Sequence, residues 1–193
     1  MSEVTPFIKF HQICYDAHVR IVGPLMRDQM IPSSRSRRKL VIIRMNKLVE
    51  GADCCDIWLD NGIGGFPFRS IPTLTLRAAH LGFRDQREML FLSGLMSEDQ
   101  LTFAPPEVLA DNAWHRKLGF SPLAGVIALQ KVCESGARRI EMLGMDLYGG
   151  DQAKAFAHDL KQNALYISYI ARMDTRVFLC DELREAIFKI TNG

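Results

Sequence analysis

The chain has 193 residues, of which 48% are hydrophobic and 24% charged, and its formal net charge at pH 7 is +2. This mixture is typical of a globular domain that forms its core without disulfides or metal. The small net charge excludes the overall basic character of many nucleic-acid-binding and membrane-surface proteins.

The first half of the chain contains short apolar segments, rich in β-branched residues and bounded by turn residues. Such segments are typical of β-strands. The predicted strands are His18–Val22, Leu40–Arg44, Cys55–Leu59, Thr73–Leu76 and Met89–Leu92. Between the last two, Ala78–Gln86 is predicted to be a helix or a loop. Pro105–Leu109 is predicted to begin a short helix, because proline is tolerated in a first helical turn.

Helices and strands alternate in the second half of the chain. The spacing of apolar residues predicts a helix over Pro122–Glu134, and Gly136 is a helix-stop residue. The elements predicted after it are a strand at Arg139–Leu143, a helix at Lys161–Arg172, a strand at Thr175–Cys180 and a helix at Glu182–Ile190 capped by Asp181.

This alternation predicts a Rossmann-like α/β fold with a mostly parallel sheet and helices on both faces. We expect a single nucleotide-binding domain over residues 1–193. Ligands of such sheets bind at the carboxyl ends of the strands. Polar or glycine-rich turns follow several predicted strands, which indicates a site at this edge. These turns are Gly23-Pro24, Arg44-Met45-Asn46, Asp60-Asn61-Gly62 and Gly144-Met145-Asp146-Leu147-Tyr148.

Two asparagines, Asn46 and Asn61, follow consecutive predicted strands. Their amides offer donors and an acceptor without charge, which suits a nucleobase edge or sugar hydroxyls. Asparagine also commonly caps turns locally, so a purely structural role for each residue stays open.

The segment Ser121–Gly125 leads into the helix at Pro122–Glu134. A helix N-terminus has unpaired N–H groups and a positive dipole end, which together bind anions. Gly125 also permits close approach of the backbone, so Ala124 and Gly125 are candidate phosphate contacts. The same residues are equally suited to begin an ordinary helix.

The turn after Arg139–Leu143 carries further polar groups. Tyr148 has a hydroxyl that suits a phosphate oxygen, and Asp146 has a carboxylate that suits a sugar hydroxyl. His158 precedes the next helix and is the side chain best suited to take a proton near neutral pH. Tyr148 as a packed aromatic and His158 as an ordinary helix-start residue are the alternatives.

Several familiar sites are absent from the sequence. No G-x-S-x-G, G-x-x-x-x-G-K-[ST] or G-x-G-x-x-G motif occurs, which argues against serine hydrolases, P-loop enzymes and ordinary NAD enzymes. The histidines lack metal-ligand spacing, and the five cysteines form no C-x-x-C pair. Reduced cysteines, an N-terminus unlike a signal peptide and no long apolar run predict a cytoplasmic protein. The basic run at residues 35–39 suits either a solvated loop or phosphate contacts.

Taken in chain order, these motifs resemble those of bacterial sialyltransferases that decorate lipooligosaccharide. The similarity extends from about Val19 to Ile187. It comprises Arg-x-Asn after a strand, a strand ending in asparagine, a glycine turn before an alanine-rich helix, Gly-x-Asp-x-Tyr after a strand, and a histidine heading a helix. The matching stretches are Val41–Asn46, Cys55–Asn61, Leu123–Leu129, Ile140–Tyr148 and His158–Cys180.

The resemblance implies a glycosyltransferase that uses a CMP-activated sugar donor and needs no metal or separate cofactor. Asn46 and Asn61 would contact the CMP part, while Gly125 and Tyr148 would hold the phosphate. His158 would be the general base that deprotonates the acceptor hydroxyl of a glycan or another molecule. The remaining residues of the implied nucleotide and substrate site are Gly23, Arg44, Ala124, Gly144, Asp146 and Leu147.

The sequence departs from the family pattern in two places. The family's first loop is Gly-x-Gly-Pro-Ser with an asparagine, whereas here it is Gly23-Pro24-Leu25. The lid between the tyrosine and the histidine is only Gly149–Ala157, without a second tyrosine. A non-catalytic nucleotide- or glycan-binding module is therefore the alternative function. The short lid also favours association with a partner or a second copy of the chain.

Overall fold

A computed structural model describes residues 6–23, 39–45, 55–60, 74–79, 108–110, 119–120, 122–147 and 160–192 of the protein. Within these ranges one helix and then five strands come first, and helices and strands alternate from Ala124 onward. In chain order they are α1 (Pro6–Cys14), β1 (His18–Val22), β2 (Leu40–Met45), β3 (Ile57–Asp60), β4 (Leu74–Ala79), β5 (Val108–Ala110), α2 (Ala124–Glu134), β6 (Arg139–Leu143), α3 (Leu160–Met173), β7 (Val177–Leu179) and α4 (Asp181–Asn192).

The seven strands form one sheet in the order β5-β4-β3-β2-β1-β6-β7, and all neighbours are parallel. From β1 to β5 the chain moves across the sheet in one direction, whereas β6 lies on the other side of β1. The strand order therefore reverses between β1 and β6. This topology confirms the predicted Rossmann-like α/β fold and locates its topological switch point.

One face of the central strands forms the main core with the four helices. Val19 and Ile21 of β1 lie beside Val41 and Ile43 of β2 and are at most 1% exposed. Because side chains alternate along a strand, these residues all point to the same face. The helices contribute to the same cluster Phe10 and Cys14 from α1, Val126, Leu129 and Val132 from α2, Ala164 and Ile167 from α3, and Leu183 and Ile187 from α4.

The opposite face of the central strands is also buried. Val22, Arg44 and Trp58 alternate with the core residues along β1, β2 and β3, and each is at most 1% exposed. Burial on both faces explains why these strands are nearly continuous apolar runs, as in parallel sheets generally.

A carboxylate on this second face binds basic side chains of β1 and β6. Glu141 Oε2 accepts a 2.8 Å hydrogen bond from Arg20 Nε and lies 3.0 Å from His18 Nε2. Glu141 Oε1 accepts a 2.9 Å hydrogen bond from Arg139 Nε. Burial alone would raise the pKa of Glu141, but the hydrogen bonds from Arg20 and Arg139 outweigh it and hold the pKa below its ordinary value.

The predicted elements agree with the structure except at a few points. Residues 108–110 form strand β5, so the prediction of a helix beginning at Pro105–Leu109 was wrong there: parallel pairing with β4 decides the conformation. Asp181 is the first residue of α4 rather than its cap, and α1 was not predicted. Gly136 ends α2 as predicted, with φ +76°. The predicted strand Met89–Leu92 lies outside the described residues.

No helix in the described part of the chain is long and apolar enough to cross a bilayer.

Candidate functional site

The two strand ends at the switch point meet backbone to backbone. Gly23 follows β1 and donates its N–H to the carbonyl oxygen of Leu143, the last residue of β6, at 2.8 Å. A Cβ atom on Gly23 would lie 2.3 Å from the carbonyl oxygen of Gly144 and 2.6 Å from Met145 Cγ. Only glycine fits at this position, because any side chain would collide with the neighbouring backbone.

The N-terminus of α2 has no side-chain cap. Its N-cap residue is Leu123, with extended φ −67° and ψ 154°, and its carbonyl accepts the N–H groups of Val126 and Ile127 at 2.9 and 3.1 Å. The N–H groups of Ala124 and Gly125 have no hydrogen-bond acceptor among the described residues. Two adjacent donors at the positive end of a helix dipole are suited to an anion.

Two methionines bring the start of α2 to the strand ends. A Cβ atom on Gly125 would lie 3.4 Å from Met145 Sδ and 3.4 Å from Met45 Cε. Met45 is the last residue of β2, and Met145 follows Gly144 after β6. The start of α2 therefore lies at the carboxyl edge of the sheet, beside the switch point.

Met45 and Met145 have apolar side chains and were not among the predicted site residues. The sequence feature that could have identified them is their position inside two motifs. Met45 lies between Arg44 and Asn46, and Met145 lies between Gly144 and Asp146. They are buried, with 4% and 7% exposure. Their flexible thioether side chains form an adaptable apolar surface between the start of α2 and the strand ends.

The backbone after β6 enters the left-handed region twice. Gly144 has φ +62°, which glycine adopts freely, and Leu147 has φ +52°. A leucine in this region is uncommon and costs roughly 1 kcal/mol. Leu147 is nevertheless buried, at 7% exposure, so packing stabilises the turn that carries Asp146.

Asp146 is half-buried and lines a cavity of about 260 Å³. The other lining residues, all from α4, are Glu182, Glu185, Ala186, Lys189 and Ile190. Because α4 follows β7, this cavity adjoins the carboxyl ends of β6 and β7. A small cavity, lined by apolar surface as well as by charged side chains, therefore flanks the switch point on the β6 side.

Arg44 lies at the end of β2 in register with Val22 and Trp58. Its side chain is completely buried, and it faces away from the core on α2. The guanidinium of Arg44 is thus part of the interior of the second face at this edge of the sheet.

A buried amide on α3 holds the turn before α2, and sequence reasoning missed it. Asn163 is completely buried, and its Oδ1 accepts the N–H of Leu123 at 2.8 Å. The signal in the sequence was a polar residue on the apolar stripe of a helix, since Asn163 shares a face with Ile167 and Ile170.

The structure therefore brings together Gly23, Ala124, Gly125 and Gly144, with Asp146 and Leu147 beside them and Arg44 in the adjoining interior. The predicted contacts Asn46, Asn61, Tyr148 and His158 lie outside the described residues, and their roles stay predictions. Within the described ranges no group of three or more His, Cys, Asp or Glu side chains is arranged to hold a metal ion.

Comparisons with protein-family models, with curated proteins and with solved structures found no match to this chain. Its function is therefore inferred from the geometry of the strand ends and from the motifs in the sequence.

Proposed function

We propose that this protein is an inverting glycosyltransferase that moves a sugar from a CMP-activated donor to an acceptor hydroxyl. The observation that carries the proposal is the meeting of Gly23, Gly144 and the uncapped start of α2 where the strand order reverses. Ligands of open α/β sheets bind in this crevice, outside the carboxyl ends of the strands.

In this proposal the phosphate of the donor binds at the start of α2. The N–H groups of Ala124 and Gly125, which have no acceptor within the described ranges, would donate to its oxygens, and the helix dipole would favour its charge. Neither effect needs a cationic side chain or a metal. Because Gly23 has no side chain and lies against Gly144, only backbone atoms of these two residues would lie beside the phosphate.

The motif residues outside the described ranges supply the remaining roles. Asn46 and Asn61 would bind the cytidine through their uncharged amides. His158 would take the proton of the acceptor hydroxyl, whose oxygen forms a bond to the anomeric carbon. The bond from that carbon to the phosphate oxygen breaks in the same displacement, and CMP leaves with a hydrogen bond from Tyr148. A single displacement inverts the anomeric centre.

A non-catalytic nucleotide- or glycan-binding module is the second candidate. It is favoured by the short segment Gly149–Ala157 between Tyr148 and His158, which offers little chain to close over a donor. A binding module needs the N–H groups at the start of α2 but not the general base His158, because it only holds the ligand.

The two functions are separated by nucleotide binding and donor hydrolysis measured on the same samples. We expect CMP to raise the melting temperature and the wild type to hydrolyse a CMP-sugar slowly. His158→Ala should abolish hydrolysis while CMP still binds. His11→Gln is the matched control, because His11 belongs to α1 and interacts electrostatically with Glu134 at the far end of α2.

The outcomes of this experiment distinguish the two functions and can also contradict both. Loss of hydrolysis in His158→Ala but not in His11→Gln supports the transferase. Binding of CMP without any hydrolysis or transfer by the wild type identifies the binding module. Absence of stabilisation by every cytidine and uridine nucleotide contradicts both.

A further inference from the structure

Asn163 connects α3 to the turn that begins α2. Its Oδ1 accepts the N–H of Leu123 at 2.8 Å, and the amide is completely buried. Leucine has no side-chain acceptor with which to cap a helix, and Leu123 occupies the position where Ser, Thr, Asp or Asn is ordinarily found. The polar group that organises this helix start therefore comes from a different helix.

The hydrogen bond fixes both sides of the Leu123 peptide. Its N–H is held by Asn163, while its carbonyl accepts the first hydrogen bonds of α2 from Val126 and Ile127. An ordinary N-cap side chain would instead accept the N–H of the second or third helical residue. Because Asn163 binds one residue before the helix, it leaves the N–H groups of Ala124 and Gly125 without an acceptor in the part of the chain that the structure describes.

The chemistry of the side chain is as informative as its position. Aspartate would supply the same acceptor atom and would interact favourably with the helix dipole. Its negative charge, buried beside the helix start, would also repel an incoming anion, and repulsion is strong where water is excluded. Asparagine supplies the acceptor without the charge.

We infer that Asn163 is a positioning residue of the nucleotide site: its neutral amide holds the start of α2 so that Ala124 and Gly125 present their N–H groups to the phosphate. This inference rests on the proposed function, because it assigns Asn163 to the phosphate of the same nucleotide. Asn163 lies in the first turn of α3, the helix that follows His158 in the sequence. It thereby also joins the helix after the proposed base to the phosphate turn.

The test compares the affinities of CMP and cytidine by calorimetry in the wild type, Asn163→Asp, Asn163→Ala and Ile167→Ala. The ratio of the two affinities reports on the phosphate alone, since cytidine lacks it. We expect Asn163→Asp to remain folded and bind cytidine normally, while its affinity for CMP falls by roughly tenfold or more. Asn163→Ala should lower the ratio as well, because the Leu123 N–H loses its acceptor.

Ile167→Ala is the matched control, because it removes buried packing from the same helix but keeps the Asn163 amide that accepts the N–H of Leu123. Its ratio should equal that of the wild type. If the ratio of the CMP and cytidine affinities were unchanged in both Asn163 variants, Asn163 would have only a structural role. The proposed function would still stand in that case, provided that the wild type binds CMP.

Amide chemical shifts of Ala124 and Gly125 during a titration with inorganic pyrophosphate give a second readout on the wild type. Shifts that saturate in the wild type and are weakened in Asn163→Asp support the inference. If the wild type bound neither CMP nor pyrophosphate, there would be no anion for Asn163 to position, and both the inference and the proposed function would be wrong.

Discussion

The α-carbon of Gly23 faces the carbonyl oxygen of Gly144 so closely that a Cβ atom would lie 2.3 Å from it. The two residues directly follow neighbouring strands, β1 and β6, on either side of the point where the strand order reverses. The nearest obstacle is the backbone of Gly144, and Gly23 is tied to this segment by its hydrogen bond to Leu143, so the two strand ends cannot separate without disturbing that bond. This contact defines the shape of the crevice and makes Gly23 a sensitive position.

Gly23→Ala should destabilise the protein by about 1–3 kcal/mol or more, because the new methyl group overlaps the backbone of Gly144. The free energy of unfolding in urea measures the effect. A variant within about 0.5 kcal/mol of the wild type would show that the strand ends can separate.

Gly125→Ala should leave the fold intact and weaken CMP binding. Its Cβ would lie 3.4 Å from the side-chain ends of Met45 and Met145, an ordinary contact distance, and alanine favours a helix over glycine by roughly 0.5–1 kcal/mol. The methyl group would occupy space between the start of α2 and the two methionines, and this would narrow the space in front of the phosphate. Calorimetry with CMP, beside urea unfolding, separates binding from stability. Undiminished affinity for CMP would place the phosphate elsewhere.

Arg176 ties the start of β7 to the end of α2. Its Nη1 and Nη2 donate to the carbonyls of Ala137 and Cys133 at 2.8 and 3.1 Å, and Asp174 holds its Nε at 2.8 Å. Arg176→Ala should cost about 1–3 kcal/mol in urea unfolding, chiefly through the lost backbone hydrogen bonds, since a half-exposed ion pair contributes little. Arg176→Lys should recover less than half of this loss, because one ammonium cannot replace the guanidinium fork. Full recovery by lysine would show that charge alone matters.

Stability should fall in acid through Asp174 and Glu141. Hydrogen bonding to Arg176 lowers the pKa of Asp174 below its ordinary 3.8. For Glu141, burial raises the pKa, but the hydrogen bonds from Arg20 and Arg139 outweigh it and bring the pKa below 4.5. A carboxyl whose pKa is lower in the folded state supplies stability above its unfolded pKa and loses it as the pH falls through the folded pKa.

We therefore expect the free energy of unfolding to decline as the pH falls below about 4.5. Glu141→Gln should be less stable at pH 7, because it leaves Arg20, which is 4% exposed, without its carboxylate. The variant should also lose less stability between pH 7 and pH 3. An acid dependence as steep as that of the wild type would contradict the role of Glu141.

Cys133 and Cys14 should react slowly with alkylating reagents in the folded protein. Burial raises the pKa of both thiols to about 12, and Asp174 adds to the effect at Cys133. Since the thiolate is the nucleophile, a rise from 9.0 to about 12 lowers its fraction at pH 8 by roughly a thousandfold. Iodoacetamide labelling followed by peptide mass spectrometry, with and without urea, measures the ratio of the labelling rates in the unfolded and the folded protein. Equal rates in the two conditions would mean that these cysteines are accessible.

The elements that the sequence predicted best are those with a strong local pattern. His18–Val22 and Arg139–Leu143 match the structure at both ends, because each is a short, well-bounded segment next to glycine. Val108–Ala110 has only three residues, and pairing with β4 makes it a strand despite the prolines before it. The helix Pro6–Cys14 was not predicted from the sequence, because its apolar face is explained only by its packing against α2 and the sheet. Phe10 and Cys14 are completely buried there.

The sequence by itself determined that glycines follow β1 and β6, that Gly125 begins a helix and that helices alternate with strands, because turn chemistry and hydrophobic periodicity are local properties. Only the tertiary structure decided that Gly23 meets Gly144, since strand order depends on contacts between distant segments. The same holds for Asn163, whose partner Leu123 is 40 residues away. A buried amide has no local signature for its partner, because any free N–H at the right distance satisfies it.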